Sequence, residues 1–163
     1  MNWKKIVLGS FGFALLFLLV ACGQSKETAK PAKVEKVTYE NTVKGVLSQS
    51  CLTCHGSDSP SLTDFKKDED KYKGLMKGPR FDNYAELKVL VNGDDSGAFM
   101  RRLDDGKNTK DGKPGNMYNK LGKTDEERQK TLAILKEWTG SWNLKKSKDL
   151  TPEERAAITA VEK

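Results

Sequence analysis

A chain that contains Cys51-Leu52-Thr53-Cys54-His55 must bring two thiols and an imidazole onto one turn of backbone. The order C-x-x-C-H is the pattern of covalent c-type haem attachment. Two thiols about one helical turn apart add to the two haem vinyl groups, and the adjacent imidazole reaches the iron as its proximal ligand. Two other chemistries share parts of the pattern. A redox-active C-x-x-C belongs in a βαβ context, and no segment here alternates like a strand. A zinc site takes about four ligands, and only Cys51, Cys54 and His55 lie together.

The residue inventory narrows the chemistry. The chain has 1 His, so a second imidazole from the same chain is excluded as the sixth iron ligand. It has 3 Cys, and each has a candidate role: Cys51 and Cys54 for haem, Cys22 for a lipid. That assignment leaves none for a structural disulfide.

Lys4 and Lys5 precede an apolar run from Ile6 to Ala21, which is broken only by Gly9, Ser10 and Gly12 and is followed by Cys22. This is the layout of a secretory signal over residues 1–21. Leu19-Val20-Ala21-Cys22 resembles a bacterial lipobox, in which Cys22 becomes the acylated first residue of the mature chain. The alternative, an uncleaved membrane anchor, suits a run this short less well. Both readings place the remainder outside the cytoplasm and attached to a membrane; diacylation would supply the two anchoring chains that one cannot replace. Removing residues 1–21 takes two of the 29 Lys and Arg and none of the 23 Asp and Glu, leaving a mildly basic chain. Its lysines are spread out without interleaved aromatics, which does not suit nucleic acid but allows some steering toward acidic redox partners or anionic lipid.

Residues 22–36 read as a flexible tether: Lys- and Ala-rich, with Pro31 and little to bury. About 14 residues of coil reach roughly 20 Å. Residues 37–143 read as one small all-α domain. A helix begins at Thr38 or Asn41, carries Val43, Val46 and Leu47, and runs into Cys51. Residues 56–61 form a turn-rich loop. The charged stretch 66–77 does not decide between helix and loop and ends at Gly78-Pro79. Asp82 or Asn83 caps a helix with Leu87, Leu90 and Val91. Ser96 is the expected cap of a short helix with Phe99, Met100 and Leu103. Residues 106–123 form a long polar loop, and long loops in compact domains tend to be functional. Thr124-Asp125-Glu126-Glu127 is a capping box that opens a helix with Leu132, Leu135 and Trp138. Residues 144–163 form an extension in which Thr151-Pro152-Glu153-Glu154 starts a second boxed helix. It packs on the domain or docks to a partner.

Taken together, residues 39–142 resemble a class I c-type cytochrome: a helix into C-x-x-C-H, a Met-bearing loop, then a capped helix with an aromatic near its end. Ser96-Gly97-Ala98-Phe99-Met100-Arg101-Arg102 is similar to small bacterial monohaem domains, in which a helix ending in Arg-Arg precedes the ligand loop. The resemblance implies an all-α cytochrome c-like fold with one covalent haem c. Of the 4 Met, Met1 leaves with the signal and Met76 lies in a charged stretch. Met100 shares an apolar helix face, which reads as core packing. Met117, in Pro114-Gly115-Asn116-Met117, matches the family's ligand loop in place and spacing, with Met100 second. One departure is Tyr118, where the family often has Pro. Thioether ligation favours Fe(II) and raises the reduction potential.

The resemblance also implies a backbone acceptor for the second ring nitrogen of His55, and Pro60-Ser61-Leu62 matches the family's P-x-L pattern. Trp138 resembles the aromatic where the terminal helices cross. Arg101, Arg102, Lys113 and Tyr118 are candidates for the haem propionates or for plain surface. Three functions compete. The first is a tethered electron carrier serving redox protein partners, with iron closed by His55 and Met117. The second is a gas sensor or enzyme with an open sixth site. The third is a haem subunit of a larger membrane oxidoreductase complex.

Overall fold

The computed structural model describes residues 35–163; the expected signal segment, Cys22 and nearly all of the tether lie outside the described residues. The described residues form helices and no strand. The first turn, Tyr39–Val43, is π-helical and is opened by Thr38, whose hydroxyl accepts from Asn41 N–H while the Asn41 side chain accepts from Thr38 N–H. It continues into α1 (Lys44–Ser50), and the one-turn α2 (Leu52–His55) follows directly. α1 therefore delivers the haem motif to the edge of the core, through Val43 and Leu47.

The charged stretch 66–77, undecided in sequence, folds as parts of two short helices, α3 (Leu62–Lys67) and α4 (Glu69–Gly74). Ser61 and Asp68 cap them by accepting from Asp64 N–H and Lys71 N–H. α5 (Tyr84–Asn92) is capped by Asn83 and buries Leu87, Leu90 and Val91. α6 (Ala98–Leu103) buries Phe99, Met100 and Leu103. Its N-cap is Gly97, not the expected Ser96. The Ser96 hydroxyl turns inward and donates to Val91 O at 2.9 Å, so it closes the end of α5 instead. α7 (Asp125–Thr139) starts at the predicted box on Thr124 and Glu127 and buries Leu132, Leu135 and Trp138. It packs on the Tyr39–Val43 turn, so the first and last long elements cross as the resemblance implied.

Residues 144–163 pack on the domain. α8 (Pro152–Ala157) has the capping box on Thr151 and Glu154. The segment after it runs along the core and sends Ile158 and Ala160 into it, both fully buried. Trp138 Nε1 donates to Val161 O (2.9 Å), and Tyr39 N–H donates to the same oxygen (2.8 Å). The Tyr84 hydroxyl donates to Ala160 O (2.9 Å), and Asn92 Nδ2 donates to Ile158 O (2.7 Å). These bonds hold Ala160 at a left-handed φ of 41°, a conformation that costs a non-glycine residue about 1–3 kcal/mol. Arg101 ties down the start of the extension, donating through one nitrogen to the carbonyls of Ser96, Leu144 and Lys145.

Ile158→Ala leaves a cavity at this seam and is expected to lower stability by about 2–5 kcal/mol. Denaturant unfolding checks this; a loss no larger than that of an exposed alanine substitution would mean the extension is not part of the core.

Candidate haem site

The site is built on α2 and on a strap running from Lys77 to Phe81. Within α2, Cys54 N–H and His55 N–H both donate to Cys51 O (3.1 and 3.0 Å), which sets the two thiols one turn apart. Both are free, Cys51 half-buried and Cys54 exposed. Burial, with the Cys54 thiol beside it, pushes the Cys51 thiol up to about 11, so it is a neutral thiol at pH 7.

The strap binds the motif through its backbone. Gly78 N–H donates to Cys54 O (2.8 Å), Phe81 N–H to His55 O (3.1 Å), and Arg80 N–H to Pro60 O (2.7 Å). Lys77 Nζ adds a bond to Thr53 O (3.2 Å) and an ion pair with Asp58 (2.6 Å). The His55 ring lies so close to Gly78 that an added Cβ there would stand 2.0 Å from Cε1. It also stacks on Phe81, with ring centroids 4.3 Å apart.

His55 Nδ1 bonds Pro79 O at 2.7 Å. A carbonyl only accepts, so Nδ1 carries the proton and Nε2 keeps its lone pair. Pro60, a candidate for this acceptor or simply part of a turn in the sequence, does not fill the role; Pro79 does. The Pro60 carbonyl instead receives Arg80 and so holds the strap that presents Pro79. Burial holds the imidazole below its ordinary value of 6.5; the Pro79 bond opposes this and the nearby Arg102 charge adds to it. His55 is thus neutral at pH 7, as an iron ligand must be.

Met117 lies at the end of the long loop, half-buried against the core. Its N–H donates to Arg102 O (2.9 Å), and Gly115 N–H donates to Asp104 O (2.8 Å). The loop presses so tightly on the end of α6 that a Cβ on Gly115 would meet Arg102 O at 2.3 Å. Arg102 NH1 also reaches Asn116 Oδ1 (3.2 Å). Tyr118, in the place of the family's Pro, is buried and accepts from Gln129 Nε2 (2.7 Å). Met100 is fully buried in α6. Met76 is 79% exposed and neighbours the strap on the His55 side. Arg101 is spent on backbone carbonyls.

The motif suits a c-type haem: two free thiols one turn apart and an oriented neutral imidazole whose Nε2 lone pair is available. The PccH cytochrome c family matches residues 38–162. The chain belongs to that family. It is similar to the monoheme cytochrome PccH from Geobacter sulfurreducens, with a TM-score of 0.74 and 47% identity over 78% of this chain and 99% of that one. It is also similar to cytochrome c-551 of Bacillus subtilis (strain 168), 33% identical over 88 residues, 47% of this chain and 77% of that protein. It is accordingly a small monohaem c-type cytochrome with the all-α fold of that class, one covalent haem c and redox protein partners, an electron carrier and not an enzyme. The family match also spans almost all of residues 144–163.

Sequence reasoning missed Gly78 and Pro79 as parts of the site. The signal was present: a Gly-Pro pair ends a polar stretch, where a small residue permits close approach and the Pro carbonyl is free to accept.

Gly78→Ala forces the imidazole out of its seat and is expected to cost about 1–3 kcal/mol and to reduce the yield of haem-loaded protein. Gly45→Ala, where a Cβ meets nothing within 4 Å, serves as control. Equal haem-to-protein absorbance ratios in the two variants would contradict the close fit at Gly78.

Proposed function

We propose that this cytochrome binds haem through Cys51 and Cys54, ligates iron through His55 and Met117, and carries electrons between extracytoplasmic partners while held to a membrane by acylated Cys22. The observation that carries the ligand assignment is the pairing of an Nε2 lone pair fixed by Pro79 with a Met117 loop pinned at Arg102 and Asp104. The bound haem supplies one-electron cycling between Fe(III) and Fe(II). The protein's part is positional. Pro79 orients the imidazole and keeps Nδ1 protonated, which raises the basicity of the other nitrogen. Phe81 and Gly78 fix the ring plane. The loop from Asp104 to Met117 presents a soft sulfur that favours the reduced metal.

Iron closed on both sides by protein ligands exchanges electrons without binding substrate, which favours a carrier over a gas sensor or an enzyme. A peroxidase-type distal His is unavailable, since His55 is the only histidine. The lipid anchor is supported by the Leu19-Val20-Ala21-Cys22 pattern. Among the described residues no helix is long and apolar enough to cross a membrane.

Met117→Ala is expected to lose the low-spin spectrum of His/Met iron, to lower the potential and to open the iron to carbon monoxide and cyanide. Met100→Ala should cost about 2–5 kcal/mol through a core cavity and keep the spectrum. Exchanged outcomes would move the ligand to Met100, and wild-type iron that already binds carbon monoxide would favour the sensor. Cys22→Ser should release the protein from membranes or leave it unprocessed; unchanged processing and membrane partition would argue against acylation.

A further inference from the structure

Asp104 is a fully buried carboxylate that the electron-carrier reading does not use. We propose that it is the positioning residue of the sixth-ligand loop: through side chain and main chain together it holds residues 105–117 closed, so that Met117 stays on the iron. This rests on the assignment of Met117 as ligand.

The geometry is that of a clamp. Asp104 Oδ1 accepts from Gly106 N–H (2.8 Å) and, at 3.5 Å, from Asn108 N–H. Oδ2 accepts from Asn108 Nδ2 (2.9 Å) and Trp142 Nε1 (2.8 Å). The Asp104 carbonyl accepts from Gly115 N–H (2.8 Å), two residues before Met117. One residue thus grips the start of the loop with its carboxylate and the end with its backbone. Trp142, beyond α7, anchors the carboxylate from the opposite side.

The chemistry explains why a charge is buried here. All these partners are neutral N–H donors, and only a carboxylate offers enough lone pairs in this plane to accept from them all. An amide would turn its NH₂ toward at least one donor and leave buried polar groups unpaired. Elsewhere the loop is held by its own turns and by the Met117 N–H bond to Arg102, since Lys107, Asn108 and residues 110–114 are exposed. Apart from half-buried Met117 it buries little apolar surface, so its closure leans on hydrogen bonds. A second carboxylate, Asp105, itself nearly buried, supports the same loop, pairing with Lys107 (3.0 Å) and accepting from Gln129 Nε2 (3.2 Å). Asp104 makes no hydrogen bond to Met117 itself and acts on the iron through the loop, by setting how often it opens.

The test uses the haem-loaded protein and the variants Asp104→Asn, Trp142→Phe and Ile158→Ala. Two rates are measured under native conditions: tryptic cleavage after Lys107 or Lys110, relative to cleavage after Lys88 in α5, and cyanide capture by the ferric iron. Loop opening limits both. Asp104→Asn is expected to raise both by about tenfold or more, as befits the loss of buried hydrogen bonds to a charged group. Trp142→Phe, which removes one donor and keeps an aromatic ring, should raise both by less. Ile158→Ala, which weakens the fold away from the loop, should leave both within about twofold of wild type. Wild-type rates in Asp104→Asn and Trp142→Phe would overturn the clamp. Faster loop cleavage with unchanged cyanide capture would overturn the role toward iron. If Met117→Ala then also kept the His/Met spectrum, the fault would lie in the ligand assignment and not in the clamp.

Discussion

The hydrogen bond from His55 to the Pro79 carbonyl joins two segments 24 residues apart in the chain, and the rest of the molecule is arranged so that it can form. The strap reaches the imidazole only because residue 78 has no side chain and because two backbone bonds align the strap with the motif and a third ties it to Pro60. Phe81 then carries the contact inward. It stacks on His55, meets Phe99 edge-on at 6.4 Å, and Phe99 meets Trp138 edge-on at 6.3 Å. A line of aromatic rings therefore runs from the His55 imidazole to Trp138 at the end of α7. Ligand orientation and core packing share one set of side chains, so loosening either disturbs the other.

The two ligand loops are secured by different physics. On the His55 side, backbone pairing is reinforced by ring stacking and burial. On the Met117 side, the loop is polar and exposed, and hydrogen bonds to the end of α6 hold it in place of an apolar anchor. Hydrogen bonds contribute about 1 kcal/mol each and are lost singly, whereas a buried ring is lost as a unit. The imidazole side is accordingly the rigid half of the site and the thioether side the half able to open. Local opening of this kind is drawn from regions with few buried apolar contacts.

Much of this was legible in the sequence, because the elements that form the fold carry local signals. Thr38, Asn83, Thr124 and Thr151 all serve as caps, and the periodic Leu87, Leu90 and Val91 and Leu132, Leu135 and Trp138 fall on buried faces. The misreadings come from backbone partners that no local rule selects. Ser96 satisfies Val91, five residues back, where a cap was expected. Pro60 and Pro79 are both proline carbonyls beside the motif, and which of them meets the ring depends on how the strap folds back. Asp104 follows α6 directly as its C-cap, in extended backbone, and nothing local marks its carboxylate as buried; its donor Trp142 lies 38 residues on and could not have been named from spacing.

The bond from Trp138 to Val161, shared with the amide of Tyr39, gives the fold a direction in time. The oxygen that finishes the core belongs to Val161, and the groups it satisfies lie at the domain's beginning and at the end of α7. A polypeptide delivered from its N-terminus, by ribosome or export channel, cannot close this seam until Val161 has emerged, long after the haem motif. Throughout that interval the Cys51–His55 segment exists without its finished core. The Cys51 thiol, half-buried in the finished fold, is thus more accessible to attachment machinery before the fold is complete than afterwards.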